Sequence, residues 1–186
     1  PYLTFVAEEI PDGATSFKCA PPIRSRANRD ELWNALAAGE IDLVATDHSP
    51  APPALKRLSD GNFIAAWGGI ASLQLSLSAV WTGAANRGVP IEDLARWLSE
   101  RPAKLAGLVH KGAIAVGRDA DFVVWDPDAE TTVDAKALQH RHPVTPYDGC
   151  RLRGQVRTTI LRGTTIFDQG DFPGPPNGRI LRAAEP

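Results

Sequence analysis

The run Ile41-Asp42-Leu43-Val44-Ala45-Thr46-Asp47-His48-Ser49-Pro50 constrains the fold of this chain more than any other stretch. It is short, aliphatic and β-branched at its core, and Ser49-Pro50 ends it with a turn that cannot continue a ladder, so it reads as a buried strand that delivers Asp47 into a loop. A carboxylate at such a strand end reaches the mouth of a fold, where backbone pairing ceases and side chains converge on a ligand. Upstream, Ser16-Phe17-Lys18-Cys19 is strand-like and is stopped by Pro21-Pro22. Between the two lies a helical pattern capped by Asn28 with Glu31 three residues on, apolar at Leu32, Trp33, Leu36 and Ala37, and ended by Gly39. Strand, helix and buried strand within about thirty residues form the crossover unit of a parallel sheet, which predicts an α/β fold with Cys19 and Asp47 at equivalent ends.

The remaining pattern divides in two. Tyr2 to Val6 is a further strand-like start, Ala51 to Asn62 reads as loop, and Ile70 to Trp81 is an apolar, small-residue helix of buried character. Two helices are predicted over Ile91 to Ser99 and Pro102 to Leu108. Beyond Lys111 the chain turns to short strands, Ala113 to Val116, Asp121 to Trp125, Thr131 to Val133, Gln155 to Leu161 and Thr164 to Phe167, with Arg162-Gly163 as a tight hairpin. The expected organisation is therefore a barrel-type unit over 1–110, a β segment over 111–169 and a Pro- and Gly-rich tail over 170–186 that wraps the surface or stays disordered.

Composition narrows the function. A net charge of -2 with no basic cluster argues against a nucleic-acid or anionic-membrane partner. No apolar run reaches a membrane span and no signal-peptide pattern opens the chain, and Cys19 and Cys150 make neither a metal-ligand spacing nor a disulfide framework, which points to the cytoplasm. The absence of methionine suggests a processed chain or a piece of a longer one.

Asp47-His48 is the candidate for metal or acid/base chemistry, against the alternative that Asp47 simply caps the Ser49-Pro50 turn. Cys19-Ala20-Pro21-Pro22 presents backbone polar groups at a strand end or merely terminates it. Trp67-Gly68-Gly69 allows close backbone approach before a helix but lacks the spacing of a phosphate loop. His140 and His142 read as solvated loop histidines before Pro143.

The most patterned stretch, K-G-x-I-x-x-G-x-D-A-D-x-V-x-x-D from Lys111 to Asp126, resembles the return into the small β-sandwich of the amidohydrolase superfamily. Thr46 to Pro50, Lys18 to Arg24, Ala66 to Ile70 and Arg141 to Tyr147 are similar, in order, to motifs of its allantoinase branch. The resemblance implies the last strands and helices of a metal-dependent (β/α)8 TIM-type barrel followed by part of a β-sandwich. It also implies hydrolysis of the allantoin ring to allantoate in a tetrameric homo-oligomer holding a divalent metal, as a binuclear zinc centre, in the complete enzyme. Asp47 would be metal ligand and proton carrier, while Ala20, Ser49, Trp67, Gly68 and Gly69 would bind the ring's polar edge. Ala20 stands where the family often carries serine, so its contact would run through the backbone. The family's other metal ligands belong to sequence upstream of this segment, which makes it resemble the C-terminal portion of such an enzyme. Alternatives are a dihydropyrimidinase, hydantoinase or dihydroorotase, or a metal-free interaction protein of the same fold.

Overall fold

The expected strands at the start of the chain are absent, because their amides are satisfied locally. In the computed structural model, which describes residues 1–181, the amides of Thr4 and Phe5 both turn back onto the Pro1 carbonyl at 2.9 Å. Ala7–Glu9 and Thr15–Phe17 are single 3-10 turns. Residues 41–47, expected as a buried strand, carry no regular secondary structure, and Asp42 and Ala45 are exposed; the Val44 amide donates to the Trp97 carbonyl at 3.1 Å instead of to a neighbouring strand. Extended segments meet at single points: Gly69 N–H donates to Lys18 O at 3.0 Å, Ser49 N–H to Ile70 O at 2.9 Å, and His48 and Ile70 form one parallel bridge. Evenly spaced bonds along a neighbour define a parallel strand, and these contacts are its isolated rungs.

Helix α1 (Arg26–Ala38) is capped by Ser25 rather than Asn28. Ser25 is extended at φ -64 and ψ 165, so its Oγ accepts the Asn28 amide and Asn28 falls inside the first turn. Gly39 ends the helix in the left-handed region at φ 77, as expected. The segment read as loop contains a short helix α2 (Pro53–Lys56). The apolar helix begins later than predicted: a 3-10 turn, Leu73–Leu75, leads into α3 (Ser76–Ala85), because Ile70 pairs with His48 and the Ser72 hydroxyl is held by the Thr46 carbonyl at 3.1 Å.

The next two expected helices are one continuous stretch, α4 (Glu92–Ala95), a π turn Arg96–Glu100 and α5 (Arg101–Leu105). Pro102 cannot donate, and its ring crowds the carbonyl four residues back; a wider turn immediately before it relieves both problems. The first core cluster joins Trp33 and Leu36 of α1, Val80 and Ala84 of α3, and Leu94 and Trp97.

The predicted strands beyond Lys111 resolve into β1 (Phe122–Thr132), β2 (Arg151–Leu161) and β3 (Thr164–Asp168), an antiparallel sheet in that order. Asp121–Trp125 and Thr131–Val133 were two strands by pattern, yet the first two residues of the second belong to β1; the register shift lies between Asp126 and Glu130, where the Asp126 carboxylate accepts the Asp128 and Ala129 amides at 3.1 Å. Ala113 to Val116 is not a strand, and Ile114 is 86% exposed. The Arg162-Gly163 hairpin is present with both residues left-handed, φ 48 and φ 79, as a two-residue primed turn requires.

Helix α3 joins the two halves. Its Thr82 Oγ1 accepts the Arg153 amide at 2.9 Å, and Trp81 donates its indole N–H to the Pro127 carbonyl at 2.8 Å while packing edge-on against Trp125. A Cβ on Gly154 would lie 2.9 Å from the Trp125 ring, so this crossing needs glycine. A second core cluster, including Cys19, Ile23, Ile70, Leu75, Ala79, Tyr147 and Leu152, runs from the extended segments to β2. The tail follows the wrapping alternative where it is described: Phe172 packs tilted against Phe167, ring centres 5.3 Å apart, and borders an apolar cleft of about 920 Å³ beside the sheet. Residues 182–186 of that tail lie outside the described residues.

Candidate active site

Asp47 ends the irregular segment 41–47 with φ 47, a left-handed conformation that a short polar side chain tolerates better than most. Its carboxylate is exposed, and among the described residues it enters no hydrogen bond or ion pair, so the turn-capping alternative finds no support. It borders a cleft of about 200 Å³ with Tyr2, Thr46, Ser72, Ser76 and Tyr147. The residues on either side of it are fixed. Thr46 O holds the Ser72 hydroxyl, and His48 Nδ1 accepts the amides of Ser72 and Leu73, both at 3.1 Å. With Nδ1 accepting, the ring proton of His48 belongs on Nε2, and the histidine acts as an anchor for backbone.

The Tyr2 hydroxyl donates to the Pro21 carbonyl at 2.7 Å. Its pKa is pushed up to about 12 by burial first, then by the Cys19 side chain and the negative charge of Asp47. Cys19 and Asp47 both act on the Tyr2 hydroxyl, although neither ends a regular strand. His140 corrects the reading of a solvated loop residue: its ring lies 5.9 Å from that of His48, its Nε2 is buried without a partner, and burial followed by His48 and His142 lowers its pKa.

The predicted ring-binding residues come together except at Trp67. Gly68 lies against Ala20, 3.4 Å from where its own Cβ would be, and Gly69 lies against Ser49, whose Oγ would be 2.5 Å from such a Cβ. Ala20 and Ser49 thus line the adjacent Gly68 and Gly69 as one edge, and at Gly69 the approach is so close that a side chain would block it. The Trp67 side chain is 49% exposed, and its backbone is engaged instead: its amide donates to Leu55 O at 2.7 Å and its carbonyl accepts from Lys56.

Lys56 escaped the sequence reading. It is 2% exposed, and its ammonium donates to the carbonyls of Lys18 at 2.9 Å, Trp67 at 3.3 Å and Ser16 at 3.4 Å. Burial pushes its pKa down to about 8, Cys19 opposing and Lys18 adding to the shift. A lysine in a proline-rich loop carries no local signal of burial; only distant carbonyls create its site.

Among the described residues no group of three or more His, Cys, Asp or Glu side chains could hold a metal ion. The unpartnered, exposed Asp47 carboxylate fits one position of a divalent-metal ligand set, as a hard oxygen donor.

The sequence profile described as "Amidohydrolase family" matches residues 7–166. An allantoinase of Streptomyces avermitilis is 57% identical over 97% of this chain and 40% of its own length. An allantoinase of Arabidopsis thaliana is 53% identical over 91% of this chain and 34% of its own. The chain thus spans less than half the length of these curated relatives. The solved L-hydantoinase (dihydropyrimidinase) from Arthrobacter aurescens superimposes with a TM-score of 0.86 at 32% identity, covering 92% of this chain and 38% of that one. The extended segments and helices up to α5 are accordingly the last part of a (β/α)8 barrel, and the three-stranded sheet is part of the accompanying β domain. The chain belongs to the amidohydrolase family.

Proposed function

We propose that this chain is the C-terminal portion of an allantoinase, divided at 111 into barrel and sandwich segments, that hydrolyses the allantoin ring to allantoate in purine catabolism. The observation that carries the proposal is an unpartnered, exposed carboxylate, Asp47, two residues before Ser49 in sequence, Ser49 itself packing on Gly69 as Ala20 packs on Gly68. A planar cyclic ureide presents alternating N–H and C=O groups, and an edge of close-packed backbone is suited to read them. Asp47 would hold a divalent metal, zinc by the family resemblance, as one ligand of a set completed by residues outside this chain. When bound, that metal lowers the pKa of water and polarises the ring carbonyl. Asp47 accepts the proton released by the attacking water and returns it to the ring nitrogen as the C–N bond breaks. Tyr2, held by the Pro21 carbonyl and kept protonated by its high pKa, closes one side of the cleft. A cytoplasmic tetramer acting on a small molecule, with no nucleic-acid or membrane partner, completes the reading; among the described residues no helix is long and apolar enough to cross a membrane.

The second reading is a dihydropyrimidinase or hydantoinase, favoured by the fit to the Arthrobacter aurescens structure. Initial rates of the zinc-loaded full-length enzyme on allantoin, dihydrouracil and dihydroorotate separate the two. Allantoin is expected to be turned over at least about a hundredfold more efficiently, below the roughly 10⁴–10⁵ that a site hydrogen-bonding groups absent from the competitor can reach. Preference for dihydrouracil would give the assignment to the second reading, and inactivity on all three would favour a non-catalytic relative.

A further inference from the structure

We infer that Lys56 is a positioning residue that sets the spacing of the Ala20–Gly68–Gly69 edge by clasping three backbone carbonyls. The inference rests on the proposal that this edge receives the substrate ring.

The stoichiometry is that of a filled site: an ammonium has three N–H donors, and three carbonyls, of Ser16, Lys18 and Trp67, receive them. Among the described residues no carboxylate pairs with this ammonium, so its charge is balanced by carbonyl dipoles alone. The three carbonyls belong to two segments remote in sequence from each other, and Lys56 itself comes from a third, α2. Lys18 O and Trp67 O lie next to the segments carrying Ala20 and Gly68. Lys18 O also accepts the Gly69 amide at 3.0 Å, so one oxygen couples the clasp to the edge. A second tie runs in parallel, from Trp67 N–H to Leu55 O, which fixes α2 to the same segment.

Without the ammonium, converging carbonyls would face each other in a buried space with no donor, and the segments would separate or admit water. The burial of Lys56, and the lowering of its pKa to about 8 by that burial, agree with a charge retained for its geometry against a solvation cost.

Lys56→Met in the full-length enzyme tests this by residue-resolved amide exchange. Exchange at Gly69 and Trp67 is expected to rise at least about tenfold, while amides of β2 keep their protection, the mark of a local rather than global opening. Lys56→Cys, alkylated to restore an ammonium on a side chain of the same length, is expected to return Gly69 protection to the wild-type level, with treated wild type as control. Lys56→Gln, which keeps two donors, gives the same readout if the methionine variant does not fold. KM for allantoin is expected to rise more than kcat falls. Unchanged exchange at Gly69, a rise spread uniformly over the protein, or a loss that the restored ammonium does not reverse would overturn the role of Lys56. A local rise in exchange with KM unmoved would instead overturn the placement of substrate on this edge, leaving the clasp intact.

Discussion

Replacing Asp47 by asparagine should abolish turnover in the full-length enzyme while leaving its fold unchanged. Asparagine tolerates the left-handed backbone at φ 47 as well as aspartate does, and the carboxylate makes no contact among the described residues whose loss would unfold anything. What disappears is the charge that would hold a divalent metal and the base that would carry the proton. Removing a general acid or base alone costs about 10²–10⁴-fold, and because both roles fail together the loss should exceed the upper figure. The measurements are kcat with allantoin, metal content and a thermal melt. Near-normal activity with full metal occupancy would show that Asp47 serves neither role.

Gly69→Ala should damage fold and site together, and Gly68→Ala should not. A Cβ on Gly69 would lie 2.5 Å from Ser49 Oγ, which a rotamer change relieves, but also 2.8 Å from the Ser49 carbonyl oxygen, which no rotamer moves. The segments must separate, straining the Ser49 N–H to Ile70 O bond and the Gly69 N–H to Lys18 O bond. The expected destabilisation is about 1–3 kcal/mol, as for overpacking in a well-filled interior, together with a large increase in KM. The methyl of Gly68→Ala would meet the Ala20 methyl at 3.4 Å and backbone atoms of Ala20 and Cys19 at 3.6 and 3.7 Å, all ordinary contacts. Denaturant midpoints of the two variants measured side by side are decisive: equal stability would mean that the Gly69 to Ser49 approach is not as close as described.

The residues that proved legible in sequence are those whose local chemistry and final role coincide. Arg162-Gly163 demands left-handed backbone on its own account and makes the hairpin wherever the strands go. The break in the chain at Asp47 was legible because Ser49-Pro50 cannot continue a ladder. The strands themselves were not, since alternation reports burial and not which segment will supply hydrogen bonds; Tyr2 to Val6 finds its acceptor in Pro1, and Ile41 to Ala45 finds one in Trp97. The boundary drawn before Pro102 failed because a π turn absorbs the proline that would otherwise end a helix. Lys56 was passed over and His140 misread for a common reason: a titratable side chain in a polar, proline-rich stretch looks solvated until distant segments close over it.

The left-handed backbone at Asp47 sets activity and robustness against each other. An aspartate there carries a smaller conformational penalty than the roughly 1–2 kcal/mol that most residues pay, but one that glycine does not. Asp47→Gly should therefore raise the melting temperature of the protein while erasing its chemistry. A heat-challenge library scored only for survival would enrich this substitution, and the same library scored for turnover would purge it. Seeing no enrichment of glycine at 47 in the survival screen would mean that the surrounding anchors, Ser72 on Thr46 and the amides on His48, already cancel the penalty.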